Sequence, residues 1–225
     1  MLILAVDTTT PSGSVALAED GALLGEAAVE SAATHSARLL RSVDFLLGAH
    51  GLGIKDVGAF AVAAGPGSFT GIRIGVGAVK SLAFASGRPV APVSTLAALA
   101  AKLEGGPETL VCPLLDAKKG EIYAALFESG PGGLAELVPQ GAYEPEAFLA
   151  RLPAGRAVAF IGGGLDACRG AVRERLGEAA RFPARSRFVA AEVARLGAAL
   201  LAAGRGVDAA SLEPIYYRRS QAEER

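Results

Sequence analysis

Two stretches of this chain begin alike, and that recurrence constrains the fold more than any single motif. Leu2 to Val6 is an unbroken apolar run ending in Asp7. Turn-rich residues Thr8 to Gly13 come next, then strand patterns at Ser14 to Ala18 and Ala22 to Val29, joined by Glu19-Asp20-Gly21. Leu110 to Leu115 is a second such run. It ends in Asp116, turns at Lys118-Lys119-Gly120, continues as Glu121 to Phe127, and reaches a third strand near Leu134 to Val138 through Gly130-Pro131-Gly132-Gly133. The recurrence lies in element order rather than residue identity.

Behind each triplet, helix and strand patterns alternate. Leu39, Leu40, Val43, Leu46 and Leu47 recur at helical spacing behind Thr34, a candidate N-cap, so a helix is predicted to about Ala49. Strand Ala59 to Ala64, a helix to about Ala85 and a strand at Pro89 to Val93 complete an order β-β-β-α-β-α-β, which predicts a mixed sheet flanked by helices. A short helix (Leu96 to Leu103) precedes the breaker Glu104-Gly105-Gly106-Pro107. The second half adds helix Glu144 to Arg151, strand Ala157 to Ile161, and helix Leu165 to Leu176. This order predicts lobes at residues 1–103 and 108–225. Helix 189–203 has two possible homes, since its apolar surface exceeds what one small sheet face needs. The tail from Glu213 to Arg219 reads as a docked extension, and Gln221 to Arg225 as loose.

Between strand 59–64 and the helix after it lies Gly65-Pro66-Gly67-Ser68-Phe69-Thr70-Gly71-Ile72-Arg73-Ile74-Gly75. A glycine-rich turn opening a helix offers free N–H groups to an anion. However, it has no Gly-Lys-Ser/Thr, and its glycine spacing does not fit the dinucleotide fingerprint. What stands out is a small-residue stripe, Gly71, Gly75, Ala78 and Ala85 interrupted by Leu82, along which another backbone could approach closely.

Composition narrows the function. Twenty-two basic and 23 acidic residues nearly cancel, so no global field recruits nucleic acid or anionic membrane. Cys112 and Cys168 lie in apolar surroundings at no metal-ligand spacing, and read as buried free thiols in a reducing cytoplasm, with a disulfide as the alternative. The start is a strand rather than a signal peptide, and no run approaches a membrane span. A soluble cytoplasmic protein with no membrane partner is expected.

Ala5-Val6-Asp7-Thr8-Thr9, His35-Ser36, Gly65 to Arg73, Leu115 to Tyr123 and Pro214-Ile215-Tyr216, in that order, resemble the TsaB (YeaZ) family of tRNA threonylcarbamoyladenosine synthesis. The likeness spans nearly the whole chain. It implies a duplicated actin-like/ribonuclease-H-like fold of the ATPase and sugar-kinase superfamily. It also implies a non-catalytic partner of TsaD, the related protein that transfers threonylcarbamoyl to adenosine 37 of certain tRNAs, and association with the ATPase TsaE. TsaD-type proteins hold a metal with a His-x-x-x-His pair. Here His35 and His50 are the only histidines, more than about 20 Å apart along any one helix that joined them, so they cannot share an ion. No zincin motif, nucleophile elbow or Cys–His pairing supports a glycopeptidase.

In that superfamily an Asp ending the first strand orients Mg²⁺ or water, and two hairpins cradle phosphates. Asp7, Thr8, Thr9, Asp116, Gly162 and Gly163 are therefore the nucleotide-binding candidates. The alternative is that both aspartates cap their turns and the glycines only allow φ > 0. No cofactor is expected on the chain itself, with ATP and Mg²⁺ entering only within a complex.

The partner-interface candidates are His35, Ser36, Leu39, Leu40, Val43 and Leu47 on one helix, and Gly71, Arg73, Ile74, Gly75, Ala78 and Leu82 on the other. The leucine stripe is either core or half of a helix-bundle interface. Ser36 either recognises a partner or caps its helix, and Arg73 either meets an anion or acid across an interface or pairs within the chain. Without TsaD, the same surface would form a homodimer. Lys118-Lys119 and Arg181, Arg185 and Arg187 are solvated faces or an indirect tRNA path. Two rivals remain: an ATP-binding or ATP-hydrolysing actin-like enzyme, and a ribonuclease-H-like nuclease, for which the first lobe offers Asp7 without convincing carboxylate companions.

Overall fold

The computed structural model describes residues 1–30, 35–105 and 110–218. Side-chain alternation along β1 (Leu2–Asp7) assigns two different packing faces to the first sheet. Leu2, Leu4 and Val6 share one face with Val15 and Leu17 of β2 (Ser12–Glu19) and Phe60, Val62 and Ala64 of β4 (Ala59–Gly65). Of the intervening residues, Ala5, Ala16, Ala18, Ala61 and Ala63 are buried and small, and Ile3 is a large buried side chain among them. β3 (Ala22–Glu30) and β5 (Val90–Ser94) complete the order β3-β2-β1-β4-β5, in which β1 to β3 are antiparallel and β4 and β5 run parallel to β1.

The two faces take different helices. On the large-residue face lie α1 (His35–Ala49), through Leu39, Val43, Leu46 and Leu47, and α2 (Phe69–Ser86), through Ile72, Val76, Val79 and Ala83. On the alanine face lies α6 (Ala190–Ala202), whose Gly197 comes so near that a Cβ there would stand 2.5 Å from the Ala61 Cβ. Only small residues on both partners permit that approach. The Ala190 N–H also donates to Ser14 Oγ at 3.1 Å. α3 (Thr95–Ala101) comes directly after β5.

The second unit repeats this plan strand for strand. β6 (Leu110–Lys118), β7 (Glu121–Gly130), β8 (Gly133–Tyr143), β9 (Val158–Ile161) and β10 (Ala180–Arg181) form a sheet in the order β8-β7-β6-β9-β10. Its first three strands are antiparallel, and β9 and β10 are parallel additions. α4 (Pro145–Leu149) and α5 (Leu165–Leu176) cover a core that includes Leu114, Leu126, Phe148, Phe160 and Val172. Cys112 and Cys168 are free, buried thiols in this core, and burial pushes both above the usual thiol range.

The two compact units are Met1–Ala98 with Phe188–Ile215, and Leu99–Arg187 with Tyr216–Arg225. The stretch that the sequence ascribes to the second lobe therefore divides. Residues 188–215 belong to the first unit through α6 and through the Ile215 N–H, which donates to the Ala64 carbonyl at 2.7 Å. Arg218 belongs to the second, pairing with Glu121 at 3.0 Å. β8 runs five residues beyond the expected Val138, because Pro139 to Tyr143 carry no apolar alternation yet still pair with β7 across register shifts. β10, two residues long, is too short to leave a pattern. Thr34, expected as an N-cap, lies outside the described residues.

Candidate functional site

The end of β1 is the most constrained point of the first unit. Asp7 is fully buried, and its Oδ1 accepts from the Thr9 N–H at 2.8 Å and the Thr9 hydroxyl at 2.6 Å. Oδ2 has no hydrogen-bond partner among the described residues. Burial pushes this carboxyl up to about 6 against the lowering effect of the two Thr9 bonds, with the charge of Glu26 adding to the rise. Beside it is a cavity of about 10 Å³ lined by Asp7, Thr8, Ser14, Arg38, Leu39 and Ser42. That is room for one water and not for a phosphate.

Thr8 and Thr9 are taken up by the glycine-rich turn. The Thr8 hydroxyl donates to the Gly71 carbonyl at 2.7 Å, and the Ser68 N–H donates to the Thr9 carbonyl at 2.7 Å. A Cβ on Gly71 would collide with the Thr8 carbonyl oxygen, one on Gly75 with the Thr8 hydroxyl, and one on Gly67 with the Thr9 carbonyl. Gly65 (φ +126°, before a cis Pro66) is pressed in the same way against the Ile215 carbonyl. Ser68 caps α2, its Oγ accepting from the Gly71 N–H at 3.3 Å.

The small-residue stripe therefore serves the chain's own fold. Gly71 and Gly75 are buried against the turn after β1 and are not open to a partner helix, which corrects their assignment as interface residues. Leu39, Val43 and Leu47 are corrected in the same way. They are at most 5% exposed and form the core under α1.

What α1 and α2 leave open is a different set. Leu40 is 54% exposed, Phe45 70% and Phe84 81%. On α2, Arg73, Gly77, Ser81 and Phe84 are exposed at helical spacing, bordered by half-buried Ile74, Ala78 and Leu82. A Cβ on Gly77 would meet nothing within 4 Å, so it is Gly77 that offers a close approach from outside. The Arg73 guanidinium sits 3.8 Å from the centroid of the Phe69 ring, which fixes it to its own helix. His35 and Ser36 open α1, and their side chains lie outside the described residues.

Phe45, Gly77 and Phe84 escape a reading of the sequence that follows the apolar stripe, because that stripe is the buried one. The signal that marks the two rings is an aromatic set off the stripe: Phe45 beside Leu46, and Phe84 beside Ala83.

In the second unit, Asp116 repeats the turn of Asp7 in a wetter setting. Its Oδ1 accepts from the Lys118 N–H at 2.7 Å and its Oδ2 pairs with Lys118 Nζ at 2.5 Å, which holds the carboxyl below its ordinary range. Gly162 (φ +109°) and Gly164 are required by the close approach of the β6 backbone at Leu114 and Leu115. Gly163 has Arg187 as its nearest neighbour, at 3.8 Å from its Cβ position. Among the described residues no group of three or more His, Cys, Asp or Glu could hold a metal ion, and no helix is long and apolar enough to cross a membrane.

A duplicated sheet of this order, with an aspartate turn closing the first strand of each copy, is an actin-like fold. Component A of (R)-2-hydroxyglutaryl-CoA dehydratase from Acidaminococcus fermentans shares the fold, at TM-score 0.52 and 12% identity over 90% of this chain and 99% of that one. The family model described as TsaD, tRNA N6-adenosine threonylcarbamoyltransferase, matches residues 28–223. YeaZ from Pseudomonas aeruginosa superposes at TM-score 0.80 with 31% identity, covering 96% of this chain and 99% of that chain. The tRNA threonylcarbamoyladenosine biosynthesis protein TsaB of Bacillus subtilis is 35% identical over 142 residues, 62% of this chain and 60% of that protein. The matched regions span 52% to 60% of the curated TsaB relatives. The chain belongs to the TsaB (YeaZ) family.

Proposed function

We propose that this protein is a docking subunit in the synthesis of threonylcarbamoyladenosine on tRNA, without catalysis of its own. The exposed faces of α1 and α2 seat a TsaD-type protein, and that partner's site carries the transfer to adenosine 37. A TsaE-type ATPase joins the assembly, and in the absence of TsaD the same face pairs two copies of this chain. Any ATP and Mg²⁺ act within the assembly.

The observation that carries this reading is the pair of neighbouring helices presenting Leu40, Phe45, Gly77 and Phe84 to solvent after both core stripes have been filled. Two large exposed aromatics on neighbouring helices, one of them in helical register with the open Gly77 of α2, suit a helix-bundle contact. The tight Asp7 cavity and the stapled Thr8 turn speak against a phosphate seat at the end of β1. Mixing the full chain with a TsaD-type protein and resolving the products by size tests the reading directly. A stable heterodimer supports it, and two independently eluting proteins overturn it.

The unpartnered Asp7 Oδ2 favours a second reading, an ATP-binding enzyme. Calorimetric titration with Mg-ATP separates the two: micromolar binding lost in Asp7→Ala supports the enzyme.

A further inference from the structure

We propose that the arginine row along α5 of the second unit docks the phosphodiester backbone of RNA. Residues 165–187 carry six arginines (169, 173, 175, 181, 185 and 187) and three acids (Asp166, Glu174 and Glu178), a surplus of three. The whole chain has a net charge of −1, so the remainder is at −4 and the positive charge is concentrated here.

The arrangement is more than composition. Arg169 and Arg173 stand one helical turn apart, with their guanidinium carbons 4.6 Å and 5.5 Å from the centroid of the Phe182 ring. Phe182 is itself held against Phe160, ring centroids 5.9 Å apart. Arg187 reaches the first turn of α5, its Nη2 3.2 Å from Asp166 Oδ2. Positions 166, 169 and 173 advance along the helix by about 4.5 Å and then about 6 Å, so three guanidiniums form a row.

Stacking on a ring orients a guanidinium without neutralising it, and leaves the N–H edge available for bidentate contact with phosphate oxygens. Arg169 and Arg173 thus keep their charge. Side chains already ordered lose less entropy on binding. Arg185 is exposed in the same segment. Arg181 donates to the Glu178 backbone carbonyl. Arg175, two residues from Arg173, points off the row and serves as a control. The choice of RNA as the polyanion rests on the functional reading above, while the charge and geometry do not.

The test is fluorescence anisotropy of the full chain with a labelled, unmodified tRNA transcript at salt concentrations from about 50 to about 200 mM. Binding that weakens with salt is expected. The triple variant Arg169→Gln/Arg173→Gln/Arg187→Gln should bind at least about tenfold more weakly at the lowest salt, with a salt slope smaller by about 2, at roughly 0.7 for each phosphate no longer neutralised. Arg175→Gln should leave the slope unchanged. Arg173→Gln alone, which keeps both aromatic rings and the Arg187–Asp166 pair, should lower it by about 0.7 and guards against a triple variant that does not fold. No tRNA binding by the wild-type chain at the lowest salt overturns the proposal, as does a folded triple variant with unchanged affinity and slope. Assembly with a TsaD-type protein, read separately, depends on α1 and α2 and is untouched by these substitutions, so the two proposals fail independently.

Discussion

The Thr8 hydroxyl donates to the Gly71 carbonyl across 63 residues of sequence, at 2.7 Å and fully buried. The same approach leaves no space for a side chain at position 71, because a Cβ would meet the Thr8 carbonyl oxygen. The turn after β1 and the first turn of α2 are thereby locked into one body. A segment rich in glycine, which in sequence suggests a phosphate cradle or an open stripe, is an internal joint.

That joint predicts opposite outcomes for two glycines of one helix. Gly71→Ala should destabilise the protein by about 3 kcal/mol or more, since backbone must move to admit the methyl group. Gly77→Ala meets nothing and should stabilise by about 0.5–1 kcal/mol through helix propensity. Urea denaturation of the two variants measures both, and equal effects would contradict the packing described.

The alanine face predicts a rescue. Gly197→Ala brings two methyl groups within 2.5 Å and should cost about 1–3 kcal/mol. Adding Ala61→Gly removes the opposing methyl, so the double variant should recover part of that loss despite the glycine placed in a strand. Strictly additive losses in denaturation midpoints would show that α6 does not lie on β4 at this depth.

The raised Asp7 carboxyl predicts a pH dependence. Its folded-state value, about 6, lies above the ordinary 3.8, so the folded state holds the proton more tightly than the unfolded state. Its contribution to stability is complete below about pH 4, declines as pH rises through about 6, and is lost above, a change of at most about 3 kcal/mol. Asp7→Asn keeps the acceptor for Thr9 and removes the charge. It should gain stability relative to wild type at about pH 8 and little at about pH 4.5. A pH-independent difference between the two unfolding curves would refute a buried Asp7 whose carboxyl is raised to about 6.

The Asp7 cavity also predicts that the isolated chain gives no micromolar heat of binding with Mg-ATP in calorimetry. Saturable binding abolished by Asp7→Ala would return the end of β1 to nucleotide chemistry.

Much of this architecture is legible in the sequence because its signals are local. An apolar run ending in Asp, a hairpin and a third strand specify each triplet, and the repetition of that order foretells the shared sheet topology. The aspartate turns are legible too: Asp7 and Asp116 each accept from the N–H two residues on, as short polar side chains do at strand ends. Which side of α2 faces inward is not legible. Gly71 and Gly75 share a face with Ala78, and spacing alone cannot say whether Thr8 or a foreign helix fills the groove. Only the fold brings Thr8, far away in sequence, to that position. The large and small faces of the first sheet could be read from alternation, but the match between Gly197 and Ala61 depends on a helix returning from the far end of the chain.

Docking of a TsaD-type partner on α1 and α2 through Phe45 and Phe84 is tested by co-purification with the Phe45→Asp/Phe84→Asp variant. Both rings are largely exposed, so the variant should unfold at nearly the wild-type denaturant concentration while losing the complex with the TsaD-type protein. A folded variant that still co-purifies in wild-type yield would show that the partner docks elsewhere.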